Sequence, residues 1–251
     1  MSDQQPLLAH LIELRSRVVR ITLGIVVCFL ALFHWSGDIY HLLAKPMLDV
    51  LPAGTNMIAT DVTAPFFVPV KVTMLVAFLL SLPNTMYQIW AFVAPGLYNH
   101  EKRLVLPLVI SSTLLFFIGV AFCYYLVFGQ VFAFIQSFAP KSITAAPDIE
   151  AYLSFVLSMF LAFGLAFEVP IAVVVLARMG IVSVQKLREF RGYFIVIAFV
   201  IAAIVTPPDV VSQLSLAIPM CILYEVGIWA AQIFIRHTKA PEEAEESASA
   251  S

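Results

Sequence analysis

Six stretches of this chain are so uniformly apolar that each needs a hydrocarbon environment, and they fix the fold class before any motif does. They run at about 18–35, 66–94, 104–128, 151–177, 192–206 and 210–235. A helix needs about 20 apolar residues to cross ~30 Å of hydrocarbon, and most of these runs reach or approach that length. Of the 251 residues 61% are hydrophobic and 12% charged, far from the balance of a water-soluble domain. The expectation is an all-α integral membrane protein with one polytopic domain over 1–235. The Ala-, Glu- and Ser-rich tail 236–251 cannot bury enough apolar area to offset its ordering entropy and is expected to be disordered. A net charge of −2 leaves nothing to neutralise a run of phosphates, which excludes a nucleic-acid binder.

Orientation follows from the basic residues. Eleven of the 14 lysines and arginines fall on one side: Arg15, Arg17, Arg20, Lys102, Arg103, Arg178, Lys186, Arg188, Arg191, Arg236 and Lys239. The positive-inside rule then makes both termini and the turn after the second run cytoplasmic, a parity that six spans satisfy.

Local signals refine the picture. The first helix starts near Pro6, with an apolar stripe of Leu7, Leu11, Leu14 and Val18 opposite His10, Glu13 and Arg17; it should lie along the headgroups or rise from them into the first span. Asp38 to Leu51 suits a short amphipathic helix, Pro69 and Pro83 should kink the long second span, and Lys71 should snorkel to the headgroups. Asp148 fits the N-cap of the fourth span. The fifth run, 192–206, rises only about 22 Å, so the bilayer should thin around Pro207-Pro208-Asp209.

Few residues carry chemistry. Cys28, Cys123 and Cys221 sit in apolar runs at irregular spacing, which suits neither disulfides nor a metal. The five histidines show no metal-ligand pair, and no nucleophile elbow, phosphate loop or zinc-protease motif occurs, so neither an enzyme nor a cofactor is indicated. Glu168 and Glu225 are acids within apolar runs, where function is the default suspicion. The plain alternative is a neutral acid bonding a backbone group or Gln213. Both fall roughly 22 to 26 Å along their spans and could share a depth. Glu13 and Glu101, beside basic residues at the water boundary, read from spacing alone as ordinary solvated charge.

Four separated motifs occur in order: His10-Leu11-Ile12-Glu13-Leu14-Arg15; Phe92-Val93-Ala94-Pro95-Gly96-Leu97 with Glu101-Lys102-Arg103; Phe167-Glu168-Val169-Pro170; and Thr206-Pro207-Pro208-Asp209 with Ser212-Gln213. Together they resemble the TatC family, the six-span subunits of the twin-arginine protein translocase. The resemblance implies short fifth and sixth spans, a concave groove, and a bacterial inner-membrane location. It implies recognition of signal peptides bearing two consecutive arginines and, with the single-span TatA and TatB, transport of folded proteins driven by the proton-motive force within a self-associating complex. On that resemblance Glu13 and Glu101 accept the guanidinium groups, Phe92 and Leu97 border them, and Arg15, Arg17 and Arg103 orient them. Glu168 and Gln213 meet a partner helix, whereas Pro46 and Asp209 shape the outer loops. The rival class is a proton-coupled small-solute permease relaying through Glu168, Glu225 and Lys71; a plain anchoring scaffold would leave Glu168 unexplained.

Overall fold

The structure, a computed structural model, describes residues 4–49, 57–93, 105–138, 147–206 and 209–249, with the side chains of 4–10, 136, 138 and 234–249 excepted. Its helices are α1 (Gln4–Leu32), α2 (Ser36–Leu48), α3 (Ala64–Leu80), α4 (Leu82–Val93), α5 (Val105–Phe122), α6 (Phe128–Phe138), α7 (Ile149–Phe167), α8 (Val169–Arg178), α9 (Val184–Glu189), α10 (Arg191–Val205) and α11 (Val210–Ser249). Among the described residues the only β pairing is a single parallel bridge, Ile58 with Asp148. Four helical stretches are long and apolar enough to cross a membrane: Leu11–Leu48, Val105–Ile135, Ile149–Arg178 and Val210–Ile233. The bent pair α3–α4 and the shorter α10 complete six apolar segments. Residues such as Leu23, Val27, Leu114, Ile118, Ile222 and Trp229 face outward, exposed, as a lipid-covered belt requires.

The chain divides into two compact units, Met1–Leu161 and Ala162–Ser251. In the first, α1 packs on α3 and α4, α2 on α3 and α6, and α4 on α5. Gly24 of α1 allows the close approach: a Cβ there would stand 2.6 Å from Asn84 Nδ2 and 2.9 Å from Ser81 Oγ, so only glycine fits this crossing. The second span bends by 55° between α3 and α4. Pro83 causes it, because a missing N–H in mid-span opens the ladder. Pro69 stays inside α3, where it costs one bond near the helix start. A π-turn over Cys123–Val127 links α5 to α6, and beyond it Phe128 stacks on Phe160 (5.3 Å) and Phe132 meets Phe155 edge-on.

The loop before α3 is clasped to the start of α7. Asp148 caps α7 as its sequence position suggests, Oδ2 accepting from Ala151 N (3.0 Å), while Oδ1 accepts from Thr60 N and Thr60 Oγ1. These bonds, Ala151 N first, hold its carboxyl below the ordinary aspartate range; Asp61 is lowered likewise, chiefly by Thr63 N–H. Lys71 pairs with Glu150 of α7 rather than simply snorkelling. Pro46 lies inside α2, and its absent N–H would have served the carbonyl four residues back, that of Leu42. The Tyr124 hydroxyl supplies the missing donor to Leu42 O at 2.8 Å, and Tyr152 does the same for Leu43 O.

In the second unit, α8 and α10 both pack on α11. Gly227 brings α11 against α8, where a Cβ would stand 2.9 Å from Pro170 Cα. Gly180 at φ 70° ends α8 in a left-handed turn, and Ser183 caps α9 through Lys186 N. Phe194 stacks on Tyr224 at 4.0 Å, and the Tyr224 hydroxyl donates to Leu187 O. Of the last two apolar segments α10 is the short one, at 15 residues; the apolar part of α11 covers 24. The backbone of α11 continues as helix to Ser249, past Ile235 where the sequence suggests a disordered tail; alanine and glutamate there are strong helix formers.

Candidate signal-recognition site

The α1–α4 corner assembles the first of the expected functional groups. Contrary to the usual amphipathic rule, Leu11, Leu14 and Val18 are exposed, while Glu13 and Arg17 turn toward α4. With lipid as the surrounding medium the apolar stripe belongs outside and the polar one inside. The helix therefore rises as one rod from Gln4 to Leu32 instead of lying flat. Arg17 Nε and Nη2 both bond Glu13 Oε1, at 3.0 and 2.6 Å. The same guanidinium reaches across to α4, Nη1 to Gln88 Oε1 at 3.3 Å and Nη2 to Ala91 O at 3.1 Å. Glu13 is 37% exposed and Arg17 17%. Among the described residues Glu13 Oε2 accepts no hydrogen bond.

This arrangement brings Glu13 and Arg17 to the last turn of α4, which carries Phe92, half-buried. Arg15 is exposed. Leu97, Glu101 and Arg103 lie outside the described residues, as do Pro207 and Pro208. Gln88 is the residue the motifs missed. A glutamine inside an apolar run was the available signal, since a polar group at that depth needs a partner, and at 6% exposure it is buried.

Glu168 sits at the break between α7 and α8, half-buried. Its N–H bonds Leu165 O at 3.1 Å and its carbonyl accepts from Ala172 N, while Pro170 has no N–H to carry the ladder through. Glu225 does not share its setting. Arg191, the first residue of α10, grips Glu225 as a fork: Nε to Oε1 and Nη2 to Oε2, both 2.6 Å. Because α10 is only 15 residues long, its basic start falls level with Glu225, which therefore lies at the end of the α10–α11 hairpin and not at mid-span. With Lys71 and Glu225 each in an ion pair, two of the three members of a permease relay are already engaged. Gln213 Nε2 bonds Phe199 O at 3.3 Å, joining α11 to α10. Asp209 is the N-cap of α11, Oδ1 accepting from Ser212 N at 2.7 Å.

The family model of the Sec-independent protein translocase protein TatC matches residues 9–219. TatC of Haemophilus influenzae is 52% identical over 93% of this chain and 91% of its own length, and that of Escherichia coli K12 is 49% identical over 97% and 94%. A crystal structure of the twin-arginine translocase receptor TatC superposes with a TM-score of 0.77 at 38% identity, covering 89% of this chain and 98% of the solved one. Six apolar segments, the polar corner between α1 and α4, and these matches along nearly the whole length converge: the chain is a membrane protein of the TatC family of Sec-independent protein translocases.

Proposed function

We propose that the chain is the receptor and core subunit of a twin-arginine translocase, binding twin-arginine signal peptides at its cytoplasmic face. One observation carries the proposal: the Glu13 carboxylate is held in place through one oxygen while its other oxygen stays open beside the Phe92 turn. A second guanidinium can bond that open edge, and arginine suits it better than lysine because its planar donors match a carboxylate. Glu101 supplies a second acid from the 94–104 turn, with Leu97 and Phe92 packing on the apolar part of the signal and Arg15 and Arg103 orienting the acids. Glu168, at a helix break in an apolar segment, receives a polar group from a TatB or TatA helix, with Gln213 at the edge of the same surface. Pro46 and Asp209 act through the outer ends of their helices. Both termini are cytoplasmic, the location is the bacterial inner membrane, and several copies work with TatA and TatB to pass folded proteins using the proton-motive force.

Site-specific photocrosslinking from positions 13, 92 and 101 to a twin-arginine signal peptide tests the receptor role. Crosslinks that disappear when the peptide carries two lysines are expected. Equal crosslinking to both peptides, or to neither in membranes holding intact protein, refutes it.

A further inference from the structure

Arg17 raises a difficulty for any receptor role of Glu13. A positive guanidinium 2.6 Å from the carboxylate already neutralises the acid and repels an incoming arginine. An acid so paired is a poor receptor unless its partner can relax its hold without losing its own solvation. Burial makes that costly, because a partly desolvated cation needs acceptors wherever it goes. The acceptors are present. Arg17 spends only part of its five N–H donors on Glu13; Nη1 goes to Gln88 Oε1 and the second Nη2 proton to Ala91 O.

We infer that Gln88 is a positioning residue for signal recognition: with the Ala91 carbonyl it takes up the Arg17 guanidinium as the signal's arginine takes over the Glu13 carboxylate. The inference rests on Glu13 being the receptor acid. Gln88 touches no signal atom in this scheme. It sets how strongly Arg17 competes for Glu13, and so how much of the carboxylate is available. Its neutrality also matters, since it accepts a hydrogen bond from Arg17 without offering the signal a rival carboxylate in the resting state. Nothing else on α4 among the described residues can take that part: Trp90 Nε1 is engaged with Ser112 Oγ at 2.9 Å, and Asn84 Nδ2 with Arg20 O.

The test is the affinity of a fluorescent twin-arginine signal peptide for the purified full chain in lipid nanodiscs, with thermal melting as a folding control. Gln88→Leu, which removes the acceptor, weakens binding about tenfold, as loss of a hydrogen bond to a charged group should. Gln88→Glu restores an acceptor for Arg17 and binds at least as tightly as the parent. A purely structural glutamine would behave the opposite way, because a buried extra carboxylate harms packing as much as leucine does. In an Arg17→Met background, Gln88→Leu changes affinity by less than about twofold, since the two then have nothing to share. Equal losses in the Leu and Glu variants, or a full Gln88→Leu loss without Arg17, overturn the inference. If Gln88→Leu does not fold, the Glu variant decides alone, and a tenfold loss there overturns it. Glu13→Gln separates the two levels: unchanged affinity removes the receptor reading itself, whereas lost affinity alongside a silent Gln88→Leu removes only the role of Gln88.

Discussion

Two arginine–glutamate pairs with the same closest approach, 2.6 Å, differ in what they leave over. Arg191 closes a two-pronged fork on Glu225, and both carboxylate oxygens are occupied. Arg17 places two donors on one oxygen of Glu13 and sends the rest of its donors to another helix. The first pair is complete and joins α10 to α11. The second is incomplete on the acid's side, although its arginine is fully anchored. Distance alone does not separate a structural ion pair from a receptor; the count of unused lone pairs does. The clasp around Asp148 falls with the complete kind, since both of its oxygens accept hydrogen bonds. Complete arrangements should respond to mutation in stability, and the incomplete one in binding.

Glu13→Ala should give the largest effect, a loss of signal binding of about 100-fold or more, with membrane insertion unchanged. Glu225→Gln should leave binding within about twofold, because a half-exposed pair contributes little. Peptide affinities of the two variants measured side by side would break the contrast if they fell together. Glu168→Ala sharpens it from a third direction. Recovery of TatB or TatA on co-purification should fall about tenfold while signal affinity holds; undiminished recovery would count against the partner role.

Next comes a coupling within the clasped region. Tyr124→Phe leaves the Leu42 carbonyl without its donor and should lower the melting midpoint by several degrees, about what one lost hydrogen bond does in a chain of this size. The same change in a Pro46→Ala background should do less, since alanine returns a backbone N–H to that carbonyl. Equal shifts in both backgrounds would mean that the tyrosine is not replacing the proline's missing donor.

The smallest effect is one of pH. The Asp148 carboxyl is depressed in the folded chain, so its contribution is complete above the ordinary aspartate pKa and is lost as pH falls through the lower folded value. Melting midpoints followed from neutral pH into this acid range should decline less steeply in Asp148→Asn than in the parent. Parallel curves would show that the carboxylate's bonds to Thr60 and Ala151 do not hold the clasp.

Much of this was legible from the sequence because the relevant physics is local. Apolar runs gave the segments, and Asp148 reads as an N-cap because the N–H it serves is three residues away. The bend at Pro83 follows equally from one residue's chemistry. What escaped was set by partners distant in sequence. Glu225 finds Arg191 34 residues back, and nothing in the apolar run around it names that partner. The polar face of α1 suggests water, yet it faces α4, since amphipathicity does not say which side is solvent when the solvent is lipid. Gln88 was visible as a polar intruder, but its meaning depends on Arg17, 71 residues away.

The π-turn at Cys123–Val127 carries a consequence for how this chain can change over evolutionary time. A π-turn is one residue more than an α-helix needs to cover the same turn, so it behaves as an insertion absorbed without breaking the rod. Removing a single residue there would return the helix to ordinary geometry and rotate everything after it by about 100°. Phe128 and Phe132 would then face away from Phe160 and Phe155. Point substitutions along this helix leave its angular phase intact, whereas a one-residue deletion resets it, so the helix tolerates drift in its letters far more readily than in its length.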